Sequence, residues 1–325
     1  MWKLGNIEIK GKVVLAPMAG ITSAGYRKCL NSFGVDICVT EMVSDMGLIY
    51  QNKETESYVV FDRDKTITGV QLFGPNPENL KKATYLALKL NPNIDFIDVN
   101  MGCPVPKVTS NGSGSALMKN PKLCGDIVRA VKEATHKPVS VKIRLGVSST
   151  SINFLEVIKE CISAGVDLIA IHPRTAKDMY RGVPDWEAVR DLKKSVPVPL
   201  VVSGNIYKVE DAINALRISG ADAVMVARGA IGNPRLIANL NRYFKGEESE
   251  FPSLDEQIDY CLELAKELIE EKGENTAMRV YRGIAVKFFD GFARSKSLKC
   301  RLSTELNTYS DLVRLLNEYR EEINL

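Results

Sequence analysis

Eight short apolar runs, each followed by a helix-sized segment, constrain the fold of this chain more than any other feature. They lie between residue 13 and about residue 245, and they are Val13–Ala16, Ile37–Thr40, Ile67–Leu72, Phe96–Val99, Val139–Ile143, Leu168–Ile171, Leu200–Val202 and Ala223–Val226. Strands that alternate with helices pair in parallel, because each helix carries the chain back across the sheet. Eight such units predict an α/β fold, the (β/α)8 TIM barrel, which needs roughly 250 residues. The 325-residue chain leaves room for a smaller appendage.

The pattern changes after about residue 252, where runs of β-branched residues stop and apolar residues recur at helical spacing. These apolar residues are Ile258, Leu262, Ala265, Leu268, Ile269, Leu312, Leu315 and Leu316. We therefore expect a barrel domain over residues 1–246 and a small all-helical domain over residues 252–325. The charged segment Lys245–Glu250 would join them.

The cysteines exclude several classes of protein. There are seven, an odd number, and no two are spaced as C-x-x-C, which disfavours a disulfide framework, a zinc ribbon and a cysteine-ligated iron–sulfur cluster. We expect no metal and a reducing, cytoplasmic compartment. The N-terminus has no apolar signal core and no run of about 18 apolar residues occurs, so membrane insertion is not expected.

Polar side chains alternate with apolar ones at the ends of two neighbouring runs. In Val139–Arg144 the valines and Ile143 share one face of the strand, while Ser140, Lys142 and Arg144 share the other. Positions that face helices should be apolar, so the polar set should face the barrel axis. The same reasoning directs His172 and Arg174 inward from the next strand, and Asn100 from the strand before. Each residue could be an ordinary interior polar group, but cations that converge on one mouth predict an anionic ligand, since an unpaired buried cation is costly.

A phosphate site is indicated after the seventh and eighth runs. Ser203-Gly204-Asn205 ends one run, Ala227-Arg228-Gly229 ends the other, and Gly232-Asn233-Pro234 opens a helix. Loops at these positions, with glycines that let backbone amides approach and an arginine that adds charge, are typical of phosphate binding in barrels. Ordinary turn glycines would give the same pattern.

Two further strand ends suggest a planar ligand. Pro17, Met18 and Ala19 lie in a small extended stretch that could lie flat along a ring, although a tight turn lined with small residues is equally compatible. Gln71 ends the third run and offers an amide that can donate to and accept from a heteroaromatic edge, although a structural amide is the alternative.

Cys103 differs from the other cysteines because it sits on a Gly-Cys-Pro turn directly after a strand, and it would face the cation cluster. A buried cysteine is most often a small hydrophobe. That interpretation covers Cys29, Cys38, Cys124, Cys161 and Cys261, whereas Cys300 lies in a basic segment where exposure is expected.

Several motifs resemble those of the flavin-dependent tRNA-dihydrouridine synthases, most closely their bacterial B-type branch, over nearly the whole chain. The motifs are Ala-Pro-Met-Ala-Gly-Ile-Thr at 16–22, Val-Gln-Leu-Phe-Gly at 70–74, Asp-Val-Asn-Met-Gly-Cys-Pro at 98–104, Val-Lys-Ile-Arg at 141–144, His-Pro-Arg-Thr at 172–175, Met-Tyr-Arg-Gly at 179–182 and Ala-Arg-Gly-Ala-Ile-Gly-Asn-Pro at 227–234. The Asn-Met-Gly-Cys-Pro run is the most specific of these.

The resemblance implies a non-covalent FMN, reduced by NADPH, that in turn reduces the C5–C6 bond of specific uridines in tRNA. It implies that Pro17, Met18, Ala19 and Gln71 hold the flavin ring, that Lys142 and His172 bind its polar edge, and that Ser203, Gly204, Asn205, Ala227 and Arg228 bind its phosphate. Cys103 would be the acid that protonates the base, and Asn100, Lys142, Arg144 and Arg174 would hold the base and absorb its charge.

The tail carries a candidate RNA surface. Seven basic residues lie between Arg279 and Arg301 against one acid, Asp290, with Phe288, Phe289 and Phe292 interleaved. A net charge of only +3 does not by itself indicate nucleic acid, so such a local cluster is needed. A solvated helix face over an aromatic core is the alternative. We expect Arg282, Arg294 and Lys296 to contact tRNA, and Lys107, Lys177 and Arg181 to continue the track to the barrel mouth.

Two other functions remain open from the sequence. One is an FMN-dependent oxidoreductase acting on a free pyrimidine, of the dihydroorotate dehydrogenase type, for which the basic tail has no use. The other is a tRNA-binding module without catalysis, for which Cys103, Lys142 and His172 have no use. A monomer is expected.

Overall fold

The computed structural model describes residues 1–61 and 66–324 and has a closed barrel of eight parallel strands at its centre. Two strands come first in the chain, β1 (Trp2–Leu4) and β2 (Ile7–Ile9). The barrel strands are β3 (Val13–Leu15), β4 (Ile37–Ser44), β5 (Ile67–Phe73), β6 (Phe96–Asn100), β7 (Val139–Arg144), β8 (Leu168–His172), β9 (Leu200–Ser203) and β10 (Ala223–Val226). Each strand pairs with the next, and β10 pairs with β3 to close the ring. The predicted α/β barrel is confirmed, with every apolar run on a strand.

Helices connect the strands on the outside of the barrel. They are α1 (Ala24–Asn31), α2 (Asp45–Ile49), α3 (Lys53–Ser57), α4 (Pro77–Leu90), α5 (Pro106–Thr109), α6 (Pro121–Glu133), α7 (Phe154–Ser163), α8 (Val209–Ser219) and α9 (Arg235–Phe244). One unit departs from the prediction. The connection from β8 to β9 contains two 3₁₀ turns, Glu187–Val189 and Leu192–Ser195, in place of a full helix.

The β1–β2 hairpin, which the sequence pattern did not predict, closes the amino-terminal end of the barrel. Its two strands pair antiparallel, and Leu4 and Ile9 are buried in the same apolar cluster as the interior residues Phe96 and Ala170. Because three-residue strands carry almost no periodic signal, such a hairpin is hard to detect from the sequence.

Side chains alternate along the barrel strands as predicted. Val139, Val141 and Ile143 pack with helix residues such as Val128 and Val157 in the outer cluster. The alternate residues of the same strand point inward, where Ser140 hydrogen-bonds to Asp98 and Lys142 and Arg144 line a cavity. The barrel therefore has an apolar floor and a polar mouth.

Four helices form the carboxyl-terminal part, namely α10 (Leu254–Lys272), α11 (Glu274–Ala285), α12 (Ser295–Thr304) and α13 (Tyr309–Asn324). Ser253 and Glu256 form a capping box that begins α10, because each side chain accepts a backbone N–H of the other residue. None of the helices in residues 1–61 and 66–324 is long and apolar enough to span a membrane.

Several polar contacts dock the helical part on the barrel, including those of Glu271 and Gln257. Glu271 accepts hydrogen bonds from Ser23 Oγ at 2.6 Å and from Gly25 N at 2.9 Å, both at the start of α1. Gln257 Nε2 donates to the carbonyls of Gly232 and Phe288, at 2.7 and 2.6 Å. The second contact ties the loop after β10 directly to the tail.

Candidate active site

A cavity of about 380 Å³ lies at the carboxyl ends of the barrel strands, a size ordinary for a cofactor or ligand site. Most of the site residues expected from the sequence line it, although they come from six different strand ends. These residues are Pro17, Met18, Ala19, Asn100, Cys103, Lys142, Arg144, His172, Arg174, Ser203, Gly204, Asn205, Ala227 and Arg228.

The loop after β9 follows a path that only a small residue permits. Gly204 has a φ of +134°, and a Cβ there would lie 2.9 Å from Pro184 Cγ and 3.0 Å from His172 Cδ2. Asn205 follows in a left-handed conformation, with a φ of +51°. The backbone therefore runs close beside the His172 ring and faces Ala227 and Arg228 across the cavity wall.

Lys142 is the cation at the centre of the cavity wall. Its Nζ lies 3.5 Å from Ser203 Oγ. Burial and, to a smaller extent, the Arg144 charge lower the pKa of Lys142 to about 8, while Asp98 and Cys103 oppose that shift. The amine therefore titrates near neutral pH and responds to any negative charge placed in the cavity.

His172 is neutral and its tautomer is set by a neighbour. Its Nε2 lies 2.9 Å from Arg174 Nη1, and a guanidinium can only donate, so Nε2 accepts and the ring proton is on Nδ1. Burial, and then the charges of Lys142, Arg144, Arg174 and Arg228, hold the pKa of His172 far below its usual range.

Arg174, which the sequence led us to expect as a contact to the substrate base, uses most of its guanidinium donors within the protein. It is 2% exposed and donates to the carbonyls of Arg181 and Gly182, at 3.1 and 2.6 Å, and to Asn205 Oδ1 at 3.1 Å. Together with the bond to His172, these contacts use most of its donors. Arg174 therefore connects the loop 181–182 with the loop after β9.

Arg144 is also hydrogen-bonded within the protein. Its Nε donates to the carbonyl of Gly102 at 2.8 Å, and its Nη1 donates to the carbonyls of Thr175 and Met179, both at 2.9 Å. These acceptors are neutral, so they hold the side chain in place without cancelling its charge. Arg144 contributes positive electrostatic potential to the cavity and positions the loop beside Cys103.

Gln71 and Asn100 also differ from the expectation, because their amides are used within the barrel. Gln71 is fully buried and outside the cavity lining, and its Nε2 donates to Asp98 Oδ2 at 2.6 Å. Asn100 Nδ2 donates to Gln71 Oε1 at 2.8 Å, and its Oδ1 accepts the backbone N–H groups of Gly102 and Cys103, at 3.2 and 2.9 Å. Asn100 therefore anchors the turn that carries the thiol.

Cys103 is partly buried at the cavity and its thiol is neutral. Burial raises the pKa of Cys103, while the backbone N–H of Val105 and the charges of Arg144 and Lys142 partly oppose the rise. Gly114, with a φ of +60°, crosses behind it so closely that a Cβ would lie 2.6 Å from the Cys103 carbonyl. The site holds a fixed, protonated thiol opposite buried cations.

Comparison with known proteins identifies the family. Residues 14–324 match the sequence model of the family described as "Dihydrouridine synthase (Dus)". The chain belongs to the dihydrouridine synthase family. The resemblance that the motifs indicated is thereby confirmed.

Curated relatives extend over most of the chain. The protein is 37% identical over 284 residues to a probable tRNA-dihydrouridine synthase of Rickettsia conorii, covering 87% of this chain and 85% of the relative. It is 31% identical over 282 residues to tRNA-dihydrouridine synthase B of Vibrio vulnificus, covering 86% and 87%. A probable tRNA-dihydrouridine synthase of Aquifex aeolicus is 33% identical over 316 residues, covering 96% and 97%.

Solved structures share the fold at low sequence identity. A variant of NCR from Zymomonas mobilis is 16% identical, with a TM-score of 0.51 over 78% of this chain and 93% of that one. The 6-hydroxypseudooxynicotine amine oxidase of Pseudomonas geniculata is 13% identical, with a TM-score of 0.56 over 75% and 48%. These likenesses support the barrel alone.

Two aromatic residues at the mouth of this family member were given no role from the sequence. The Arg228 guanidinium lies 4.9 Å from the centre of the Tyr180 ring and 5.8 Å from that of Tyr207. The Tyr180 ring also lies 6.4 Å from the His172 ring, nearly parallel to it. Tyr180 falls within a motif noted above, so its position there was the available signal, while nothing in the sequence singled out Tyr207.

The basic residues expected at the rim are exposed on segments that also carry cavity-lining residues, although none of the three lines the cavity itself. Lys107 lies on α5, and Lys177 and Arg181 lie on the loop between β8 and β9. Arg181 Nη2 donates to the carbonyl of Lys177 at 3.0 Å. No carboxylate of the described residues pairs with any of the three, so the rim carries positive charge.

The basic residues of the tail fall into two groups, which the sequence did not distinguish. Three are paired with acids, since Lys287 and Lys299 reach Asp290 while Arg301 reaches Glu305 and Glu318. The other four have no carboxylate partner among the described residues. They are Arg279, Arg282, Arg294 and Lys296.

Arg282 and Arg294 keep their charge although they are hydrogen-bonded. Arg282 donates to the carbonyl of Leu306 and to Asn307 Oδ1, and Arg294 donates to the carbonyl of Glu322. The interleaved Phe288 and Phe289 are buried in the helical core and are therefore not a stacking surface for bases.

Proposed function

We propose that this protein is a tRNA-dihydrouridine synthase that uses FMN and NADPH to reduce the C5–C6 bond of specific uridines in tRNA. One observation carries the proposal. The neutral thiol of Cys103 and the amine of Lys142 face the same cavity, whose walls also include the loops after β9 and β10. Family membership and the names of the relatives support it.

The residues present fit a flavin phosphate at one end of the cavity. The loop Ser203–Asn205 lines the cavity with its backbone, since Gly204 packs against Pro184 and His172 without a side chain, and Arg228 is exposed at the rim. No carboxylate of the described residues pairs with Arg144, Arg174 or Arg228, so the cavity carries an excess of positive charge that suits an anion. Ala227 would complete the phosphate contacts.

The remaining lining residues fit the flavin ring. Pro17, Met18 and Ala19 would lie against its face, and Lys142 with neutral His172 would hold its polar edge. Gln71 would act through Asp98 and Asn100 rather than by contact, because it lies below the cavity floor.

The chemistry of the chain's own residues follows from their protonation states. Bound flavin supplies the hydride that adds to C6 of the uracil. Cys103 Sγ–H then transfers its proton to C5, because negative charge develops at C5 and O4 and needs a positioned acid. Lys142 and the field of Arg144 and Arg174 stabilise that charge before the proton arrives. The electrons would come from NADPH through the flavin, and solvent restores the thiol proton.

A tRNA substrate agrees with the charges outside the cavity. The rim lysines and Arg181 lie at the mouth, and the unpaired basic residues of the tail add a surface for phosphates. A uridine must leave its stack to reach a barrel floor, which these contacts would support. The seven free cysteines support a reducing cytoplasmic compartment, and we propose that residues 1–246 and 252–325 form the catalytic and RNA-binding domains.

Incubating the purified protein with an unmodified tRNA transcript, FMN and NADPH tests the function. We expect dihydrouridine to appear in the tRNA, as measured by mass spectrometry of its nucleosides. The modified positions should be those at which tRNA from cells lacking this protein carries no dihydrouridine. Free uracil and orotate should not be reduced. Reduction of free bases without RNA would favour a pyrimidine oxidoreductase, and a colourless protein that binds tRNA would favour a module without catalysis.

Flavin affinity should depend on pH through Lys142. Below about pH 8 its amine is charged before binding, and affinity should be constant. Above that pH, binding must recruit a proton to form the charged contact, so affinity should fall by up to about tenfold per pH unit. Fluorescence titration with FMN between about pH 7 and pH 9.5 measures this loss of affinity at alkaline pH.

Lys142→Gln should weaken FMN binding and make the affinity independent of pH in this range. Lys107→Gln, at an exposed rim lysine, should leave the loss of affinity at alkaline pH unchanged. A loss of affinity at alkaline pH that persists in Lys142→Gln would assign the titration to another group.

A further inference from the structure

We propose that Asp98 is the buried counter-ion that keeps Lys142 charged on the cavity wall, and that it is a positioning residue for the site. This role for Asp98 deepens the proposed function and rests on it, because the proposed function is what gives Lys142 its part in uridine reduction. The electrostatic coupling between Asp98 and Lys142 is a property of the cofactor-free protein.

Asp98 lies one inward-facing layer below Lys142 on the neighbouring strand. In the register of β6 and β7, Asp98 is level with Ser140 and Asn100 is level with Lys142. Inward-pointing residues of adjacent parallel strands stack in layers, so the Asp98 side chain lies under the cavity floor while Lys142 borders the cavity above it. Asp98 is 4% exposed, so water does little to stabilise its charge.

Neutral groups complete the surroundings of the Asp98 carboxyl. Oδ1 accepts a hydrogen bond from Ser140 Oγ at 2.5 Å, and Oδ2 accepts one from Gln71 Nε2 at 2.6 Å. Hydrogen bonds stabilise the carboxylate, but a charge buried to this degree also needs an opposite charge. Lys142 is the cation that acts on it.

The electrostatics of the two groups are reciprocal. Burial raises the pKa of Asp98, and Gln71, Ser140 and the charge of Lys142 lower it. Burial and Arg144 lower the pKa of Lys142, and Asp98 and Cys103 raise it. The pair therefore acts as a unit in which each charge maintains the other.

Asp98 is the negatively charged group that can act on Lys142 at neutral pH. The other groups facing Lys142 are Arg144 on its own strand, His172 on β8, Cys103 after β6 and Ser203 on β9. Arg144 opposes the ammonium charge, His172 and Ser203 are neutral, and the Cys103 thiol is protonated. Without Asp98, no anion among these groups would oppose the burial and the Arg144 charge that lower the pKa of Lys142 at neutral pH.

Asp98→Asn tests the proposal, because asparagine keeps the shape and can still bond to Ser140 and Gln71. Lysine amines are labelled by reductive methylation with ¹³C, the Lys142 signal is assigned by its absence in Lys142→Gln, and its titration is followed by NMR in protein without flavin or RNA. We expect the pKa of Lys142 to fall by about one unit or more in Asp98→Asn. Asp95→Asn, the same change just before β6, should leave it unmoved.

A second variant decides the question if Asp98→Asn does not fold. In Lys142→Gln, the ¹³C titration of the Asp98 carboxyl should shift upward by about the same amount, since coupling between two groups is mutual. An unmoved Lys142 in folded Asp98→Asn, or an unmoved Asp98 in Lys142→Gln, would overturn the proposal. Both measurements are independent of activity, so a failure here differs from a failure to reduce tRNA.

Discussion

Replacing Cys103 with alanine should lower the rate of uridine reduction in tRNA by about 10²- to 10⁴-fold, the usual contribution of a positioned acid. Alanine cannot donate a proton to C5, and no other thiol of the described residues lines the cavity. The variant should still bind FMN and oxidise NADPH, because Lys142, His172 and the loops after β9 and β10 are unchanged. Single-turnover reduction of tRNA and stopped-flow reduction of the flavin separate the two steps.

The thiol should also impose a pH dependence on the chemical step. Since burial raises the pKa of Cys103, its proton is present at neutral pH, and the loss of that proton should slow reduction as pH rises through the raised value, above the range in which Lys142 loses its charge. Cys300→Ala, at an exposed cysteine of the tail, is the matched control and should behave as the wild type. Normal dihydrouridine formation by Cys103→Ala would place the acid elsewhere.

Reversing two unpaired charges of the tail, in the double variant Arg279→Glu and Lys296→Glu, should weaken tRNA binding on the order of tenfold at low salt. Each lost phosphate contact should also reduce the slope of log affinity against log salt by about one. Both side chains are exposed and have no hydrogen-bond or ion-pair partner among the described residues, so their loss should leave the helices intact. Filter binding over a salt series measures affinity and slope together.

Adding Arg282→Glu and Arg294→Glu should weaken binding further, but these changes also remove hydrogen bonds to Leu306, Asn307 and Glu322, so thermal unfolding must be followed in parallel. The matched control for the double variant is Lys10→Glu with Lys82→Glu, which changes the net charge equally on exposed barrel positions. FMN absorbance should be normal in every variant. Equal loss of binding in the control would mean that net charge, rather than this surface, attracts the RNA.

The barrel could be predicted from the sequence because its strands carry strong local signals. Val139–Ile143 shows both the length of a buried strand and an alternation that separates helix-facing valines from inward polar residues. The β1–β2 hairpin and the 3₁₀ turns between β8 and β9 were not predicted, because segments of three or four residues contain too few periods to register.

The sequence predicted which residues form the candidate site better than it predicted the contacts that they make. Strand ends identified Cys103, Lys142 and the two loops with glycines, since side chains at that end of a barrel meet at one mouth. Arg144, Arg174 and Asn100 were expected to hold a base, yet their donors and acceptors are used by carbonyls and amides within the barrel. Every residue has a backbone carbonyl, so the sequence could not show which carbonyls accept hydrogen bonds from these side chains.

The sequence by itself determined the order of the eight barrel strands, the inward set of polar residues and the family, because these depend on local periodicity and on short motifs. Only the tertiary structure decided which charges remain unpaired. Glu318 neutralises Arg301 from a different helix, while Arg282 meets only neutral partners, and Asp98 lies beneath Lys142 because β6 and β7 are in register. Hydrogen bonds and ion pairs form between atoms about 3 Å apart, and the groups that meet at that distance are remote in the chain.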